Sequence, residues 1–234
     1  MIKNYNLELF LSNYFGKNIK EVTKEELEQL ESISLDGLNI DSFYEKIDIK
    51  EVLNLFPKLN SIVINNYVFT DEDIKLINTL NIIEYSFYKC DFKSIKEKEL
   101  FKHAQILMFE NCAFKNYEFL QNNFDNLEVL CISNPKDEEK IDINLLNAPK
   151  LNELYLEKCL VNNLNLMEKY NNLEFINILG TDITKEEILK LTNMEKLSIL
   201  VVGEEYIDNE IIEKFNNKNI EIKNNLEDML YDNE

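Results

Sequence analysis

The sequence predicts an α/β solenoid: a right-handed, curved stack of strand-and-helix units with a parallel β-sheet on the concave face and short helices on the convex face. Three observations predict it. A pattern of apolar residues recurs every 22 to 29 residues along nearly the whole chain, a period typical of stacked repeat proteins. Helix-capping signals fall between the repeated patterns. Glycine (4) and proline (3) are scarce among the 234 residues, which leaves few places for a linker between separate domains.

The clearest unit spans residues 151–161 and follows the pattern L-x-x-L-x-L-x-x-N/C-x-L. Its defining positions hold Leu151, Leu154, Leu156, Cys159 and Val161. The same pattern begins again at Leu30, Leu59, Ile82, Ala104, Leu127, Leu173 and Leu197. The chain therefore resembles the leucine-rich-repeat family, and it is similar to the short bacterial, internalin-like or phosphatase-regulator-like repeats, although it lacks the secretion signal of internalins. The resemblance implies a horseshoe-shaped solenoid.

Position nine of each unit favours Asn, Cys or Thr, because a small polar side chain there can bond the backbone groups exposed where the strand ends. Cys90, Cys112, Cys159 and Thr181 occupy this position. We interpret these three cysteines as structural residues rather than redox or metal-binding residues. Cys131 lies between two core positions of its strand, so it is predicted to face outward.

The return limbs of the units carry helix-start signals. Thr23, Thr70 and Thr184 each stand three residues before an acidic residue and ahead of a periodic apolar stretch, which predicts capped helices. We predict an N-terminal helical cap over residues 1–29, about nine units of 22 to 29 residues over 30–226, and an acidic C-terminal tail over 227–234. The ninth unit is degraded, with Ile220 and Ile222 in its strand.

The third, fifth and seventh positions of each unit point outward on the concave face, because they alternate with the buried ones. In units four to eight these positions form an apolar strip, which we predict to bind a partner protein. The strip consists of Ile106, Met108, Val129, Cys131, Tyr155, Phe175, Leu179, Ile199 and Val201. An acidic rim is predicted at Glu84, Glu110, Glu153 and Glu157, and it suits a partner with a basic border.

Two other interpretations of the strip remain open. Apolar and β-branched residues also occupy exposed sheets because of their strand propensity alone. A homodimer that buries the strip against a second copy would leave the same pattern. A different class of function follows from the formal charge of −19, since an acidic regulator, of the immunity or nucleic-acid-mimicking kind, could block a basic target electrostatically.

The same charge repels phosphate backbones and anionic membranes, so neither direct nucleic-acid binding nor membrane binding is expected. No apolar run is long enough to span a membrane, and the N-terminus lacks a secretory pattern, so a cytoplasmic protein is expected.

The isolated glycines form no phosphate-binding loop. His103 is interpreted as a structural residue of a return limb, and the acidic clusters at residues 71–73 and 137–139 as helix caps or solvated faces. We expect no enzyme activity, cofactor or metal. The segment 133–144, around Pro135, is predicted to be a solvated loop at the rim.

Overall fold

A computed structural model describes residues 5–36, 55–97, 99–164 and 169–225. Its main feature is a parallel sheet of nine strands in the order β1-β2-β3-β4-β5-β7-β9-β10-β11. The strands are β1 Ser32–Asp36, β2 Ser61–Asn65, β3 Glu84–Tyr88, β4 Ile106–Glu110, β5 Val129–Ser133, β7 Glu153–Tyr155, β9 Phe175–Asn177, β10 Ile199–Val201 and β11 Glu221–Lys223. A separate two-stranded sheet joins β6 Ile141–Asp142 to β8 Val161–Asn162.

Neighbouring strands pair at equivalent positions of the repeat. Ile62 of β2 is opposite Tyr85 of β3, and Phe87 of β3 is opposite Phe109 of β4. Each chain segment therefore lies beside its own counterpart in the next unit, as the repeated pattern predicts. The predicted solenoid is confirmed. In the degraded ninth unit, β11 pairs with β10 and contains Ile222, whereas Ile220 is buried one residue before the strand begins.

The core is one continuous cluster that runs along the interior of the stack. Its central part is a column of phenylalanine rings. The rings of Phe92 and Phe114 stack with their centroids 5.0 Å apart and their planes 5° apart, and Phe109 meets Phe114 edge-on at 5.0 Å. Burying one such side chain contributes roughly 1.5–3 kcal/mol relative to leaving it exposed. The column therefore joins units three and four firmly.

Short helices occupy several return limbs: α1 Tyr5–Phe15, α2 Lys24–Leu27, α3 Asp71–Ile77, α4 Lys185–Lys190 and α5 Asn209–Asn216. Thr23, Thr70 and Thr184 begin α2, α3 and α4, and all three form the reciprocal capping box that the sequence predicts. The periodic stretch after Thr23 gives a helix of only four residues, because the chain turns at Glu28 to enter β1.

The chain adopts a left-handed backbone conformation at position eight of six consecutive units. These residues are Asn66, Lys89, Asn111, Asn134, Lys158 and Gly180, with φ between 46° and 69°. The conformation turns the chain out of the strand just before the position-nine residue enters the core. Asparagine and glycine tolerate it with little strain, whereas lysine does so less well. The repeat pattern did not reveal this requirement, since position eight is variable in sequence.

The N-terminal helix α1 packs against the first strand. Leu7 and Leu11 of α1 are fully buried, so the apolar face of this helix covers the start of the core. The predicted boundaries at residues 29 and 30 and at 226 and 227 stay predictions. The acidic tail predicted over 227–234 lies outside the described residues, as do Leu38 and Ile40 of the first unit.

Candidate interaction surface

The concave sheet carries a compact group of four half-buried apolar side chains. Ile106 and Val129 are paired across β4 and β5, and Met108 and Cys131 are paired two positions further on. Side chains two positions apart on a strand point to the same face. The four residues therefore form a block two strands wide, which we call the apolar square.

Four carboxylates surround the apolar square. Glu84 is paired with Ile106 on one side, and Glu153 is paired with Val129 on the other. Three strand spacings separate these two glutamates, or about 14 Å. Glu110 and Glu157 follow the square at the carboxyl ends of β4 and β7. All four glutamates are partly exposed, so the acidic rim predicted from the sequence lies around an apolar centre.

Tyrosines stand at two sides of the square. The hydroxyl of Tyr155 donates a hydrogen bond of 2.8 Å to Glu153, and its ring packs on Phe175 with centroids 4.8 Å apart. Burial and the acceptor Glu153 raise the pKa of Tyr155. Tyr88 is paired with Glu110, and burial together with that carboxylate raises the pKa of Tyr88. Both phenols therefore stay protonated at neutral pH.

Cys131 contributes to the square as an apolar group. Burial, with smaller contributions from Glu110 and Glu157, raises the pKa of Cys131 to about 12. A thiol with that pKa stays protonated at neutral pH and packs as a small apolar group. The outward direction predicted for this residue agrees with its half-buried state between Met108 and Tyr155.

The C-terminal part of the predicted strip is less exposed than the sequence suggests. Phe175 is only 6% exposed and Val201 is 0% exposed, whereas Leu179 and Ile199 are half-buried. The ring of Phe175 is covered in part by the ring of Tyr155. Asn177, which is paired with Val201, is also fully buried. Among the described strands, the accessible part of the strip is therefore centred on β4, β5 and β7.

The other candidates from the sequence have structural roles or lie at the surface. His103 is exposed on its return limb. Asp71 accepts backbone hydrogen bonds from Lys96 (2.7 Å) and Glu97 (3.0 Å). Asp137 accepts a 3.0 Å bond from the Phe114 amide and a 3.1 Å bond from the hydroxyl of Tyr117. Within residues 5–36, 55–97, 99–164 and 169–225, no three His, Cys, Asp or Glu residues are grouped as metal ligands would be.

The segment around Pro135 is held at both ends. Lys136 donates its backbone amide to Cys112 at 2.8 Å, and Ile141 is buried at the start of β6. Glu138, Glu139 and Lys140 are exposed between these points. The prediction of a solvated loop therefore fits only the middle of the segment, because β6 pairs with β8 and restores the stacking of the units.

A groove on the return-limb side was not predicted. It has a volume of about 310 Å³ and lies between the limbs of units three and four. Its base is formed by Phe92, Leu100, Phe114 and Phe119, and Lys96 and Lys115 lie at its edge. Among the described residues of these two limbs, the only helical segment is a 3₁₀ turn, Glu118–Gln121. No sequence signal identified the groove, because the residues at its base also fit the core pattern.

The parallel nine-stranded sheet, the paired repeat positions and the short helices on the return limbs define a leucine-rich-repeat solenoid. An internalin from Listeria monocytogenes, internalin F, is similar in structure, with a TM-score of 0.50 and 14% sequence identity. The match covers 94% of this chain and 55% of the internalin chain, so this chain spans about half the length of that protein. At this identity the similarity concerns the fold alone.

No protein-family model matches the chain, and no curated protein matches it. Over the residues that the structure describes, none of the helices has the length and apolar character needed to span a bilayer.

Proposed function

We propose that the chain is a non-catalytic protein-interaction module that binds a partner protein on the concave face of its solenoid. The observation that carries the proposal is the apolar square of Ile106, Met108, Val129 and Cys131 on the exposed side of the sheet. Methionine and aromatic residues are enriched in the centres of protein interfaces. Tyr88 and Tyr155 add aromatic surface, and the hydroxyl of Tyr155 is fixed by its hydrogen bond to Glu153. The similarity in fold to an internalin is consistent with a binding role.

The partner that fits this surface has an apolar centre and a basic border. Glu84 and Glu153 stand about 14 Å apart across the square, and Glu110 and Glu157 close its other side. Lysine or arginine side chains of the partner would meet these carboxylates at the rim, where charges guide association and select the partner. We place this encounter in the cytoplasm, as the sequence suggests.

The test is a quantitative pull-down from native lysate with the wild-type chain and the double variant Met108→Asp and Val129→Asp. Two carboxylates in the apolar square should prevent an apolar partner from docking, so a partner retained by the wild type should be lost. Phe175 is left unchanged, because it is buried and its replacement would disturb folding.

Matched controls place the same charge on apolar residues away from the concave strands. Val68 is 46% exposed and Leu160 is 37% exposed, so Val68→Asp and Leu160→Asp add equal charge without touching the square. These variants should retain the partner. Equal retention by the double variant and the wild type would contradict the proposal, provided that circular dichroism shows both to be folded.

The formal charge of −19 favours one alternative, an acidic regulator that blocks a basic target. Salt distinguishes the two functions. Electrostatic blocking should weaken steeply between low and high salt, because the Debye length shortens from about 30 Å at 0.01 M to about 3 Å at 1 M. Docking through the apolar square should change much less. A homodimer through the same face would appear in sedimentation of the purified chain, without any lysate.

A further inference from the structure

Two buried cysteines lie side by side in the interior of the stack. Cys90 follows β3 and Cys112 follows β4, at the same position of adjacent units. The next residues along the chain, Asp91 and Ala113, form a parallel bridge, and the amide of Ala113 donates to the carbonyl of Cys90 at 2.9 Å. The two cysteines are therefore in register, and the strand spacing places their Cα atoms about 4.8 Å apart.

Both side chains point into the same row of the interior. The Cys90 thiol donates to the carbonyl of Ile64 at 3.4 Å, and the Cys112 thiol donates to the carbonyl of Phe87 at 3.3 Å. Each residue is only 1% exposed. Disulfides span Cα distances of about 4.4–6.8 Å, so this pair meets the distance requirement with the backbone as it stands.

The two sulfur atoms also interact with each other. The neighbouring Cys112 side chain is the largest of the influences that lower the pKa of Cys90. The Cys90 side chain, together with burial, raises the pKa of Cys112. The register of the two units positions Cys112 as the second thiol that would react with an oxidised Cys90.

We propose that Cys90 and Cys112 form a reversible intramolecular disulfide when the chain meets a peroxide oxidant. The Cys90 thiol is first oxidised to a sulfenic acid, and the peroxide is reduced to one molecule of water. The sulfur of Cys112 then attacks the sulfenic sulfur, the S–S bond forms and a second molecule of water leaves. Two thiols are thereby oxidised by two electrons, which hydrogen peroxide accepts.

The other two cysteines lack such a partner and serve as controls. Cys131 is paired with Met108 and Tyr155 on the concave face. Cys159 donates to the carbonyl of Ile132 at 3.1 Å, and the equivalent position of the next unit holds Thr181. The disulfide would fasten unit three, which carries Glu84 of the acidic rim, to unit four, which carries Ile106 and Met108 of the apolar square. The proposal does not depend on the identity of a binding partner.

The experiment treats the folded chain with hydrogen peroxide, blocks the remaining thiols by alkylation and maps tryptic peptides by mass spectrometry. Cleavage at Lys93 and Lys102 separates the two cysteines. We expect a loss of two hydrogen atoms, one linked pair of peptides containing Cys90 and Cys112, and full reversal by dithiothreitol. The oxidised chain should also unfold at a higher temperature, because the cross-link restricts the unfolded chain.

Two variants test which cysteines form the disulfide. Cys112→Ser should abolish the linked peptides, whereas Cys159→Ser should leave them unchanged. The peptide map of the wild type decides the question by itself if Cys112→Ser does not fold. The proposal is overturned if all four cysteines stay reduced while an exposed cysteine peptide in the same tube is oxidised, or if the link that forms joins any other pair.

Discussion

At the scale of single residues, the positive-φ row at position eight has the clearest energetic consequence. Asn66, Asn111 and Asn134 adopt the left-handed conformation in their units, and Lys89 adopts it in the unit between the first two. The left-handed backbone conformation costs a residue with a Cβ atom roughly 1–2 kcal/mol of free energy. The cost is smaller for asparagine, because its short polar side chain can form a local hydrogen bond.

We therefore predict that Lys89→Asn raises the free energy of unfolding by up to about 1 kcal/mol, measured by urea denaturation. Lys89 is exposed, so the change removes no buried contact. Lys93→Asn is the control, since Lys93 is also exposed but has a negative φ; it should leave stability unchanged within experimental error. A loss of stability in Lys89→Asn would show that the lysine side chain makes a contact that outweighs the backbone strain.

The residue types at position nine correctly predicted a structural role there. They did not indicate the positive φ at position eight. The thiols of Cys90, Cys112 and Cys159 donate to carbonyls of the preceding units, and this follows from their small size and polarity. The conformation at position eight accommodates Asn, Lys and Gly. A requirement on φ that several residue types can meet leaves no pattern in one sequence.

At the scale of elements, the capped helices follow directly from local sequence. Thr184 accepts the amide of Glu187 at 3.3 Å, and the Glu187 carboxylate accepts the amide of Thr184 at 2.8 Å. This exchange needs only residues three apart, so it is visible in the sequence. The length of a helix is different, because the position of the next strand decides where the chain must turn.

We predict that Thr184→Ala lowers the free energy of unfolding by about 1 kcal/mol, because it removes the hydroxyl that accepts the amide of Glu187. Thr184→Ser keeps the hydroxyl and should retain most of the stability. Chemical denaturation of the three proteins measures both effects. If Ala and Ser variants are equally destabilised, the methyl group of the threonine, and not its hydroxyl, supports α4.

Asp71 links elements of two units and predicts an acid dependence. Hydrogen bonds from the amides of Lys96 and then Glu97 lower the pKa of Asp71 below its usual value near 3.8. A carboxylate with a lowered folded-state pKa stabilises the fold above its unfolded pKa, and this stabilisation is lost as the pH falls through the folded pKa.

Asp71→Asn should therefore be less stable than the wild type at pH 7, and the difference should shrink as the pH falls below about 4. Denaturation midpoints measured at several pH values test this. Glu72→Gln, one residue along the same helix, also removes one carboxylate charge and is the matched control. A constant difference for Asp71→Asn across the range would mean that the carboxylate charge is not what matters.

At the scale of the whole molecule, stacking in register makes the stability of distant parts depend on the units between them. Phe109 is 1% exposed and contacts the rings of Phe87, Phe92 and Phe114. It therefore joins unit three to unit four, and unit four carries Ile106 and Met108 of the apolar square.

We predict that Phe109→Ala destabilises the chain by about 3–5 kcal/mol, as expected for an aromatic side chain removed from a packed core. Native-state hydrogen exchange should show faster exchange in β3, β4 and β5 than in β10 and β11, because each unit contacts mainly its neighbours. Leu160→Ala, which truncates a side chain that is 37% exposed, should cost far less. Uniformly faster exchange would indicate that the solenoid unfolds as one cooperative body.

The sequence was sufficient for the fold at this scale, because a period of 22 to 29 residues admits few architectures. The sequence predicted the candidate surface only in part. The alternation of strand residues placed Ile106, Met108, Val129 and Cys131 on the concave face correctly. It could not show that Phe175 and Val201 are buried there, since exposure on a curved sheet depends on the sizes of neighbouring side chains across strands.

The pairing of each strand with its own counterpart also bears on how such a molecule can change over evolutionary time. Duplication of one unit would insert a strand whose two edges already match those of its neighbours. The concave face would lengthen by about 4.8 Å, and the new copy could then diverge at its outward positions while its inward positions stayed fixed. Recognition of a larger partner is thus available through a single in-frame duplication, without redesign of the interior.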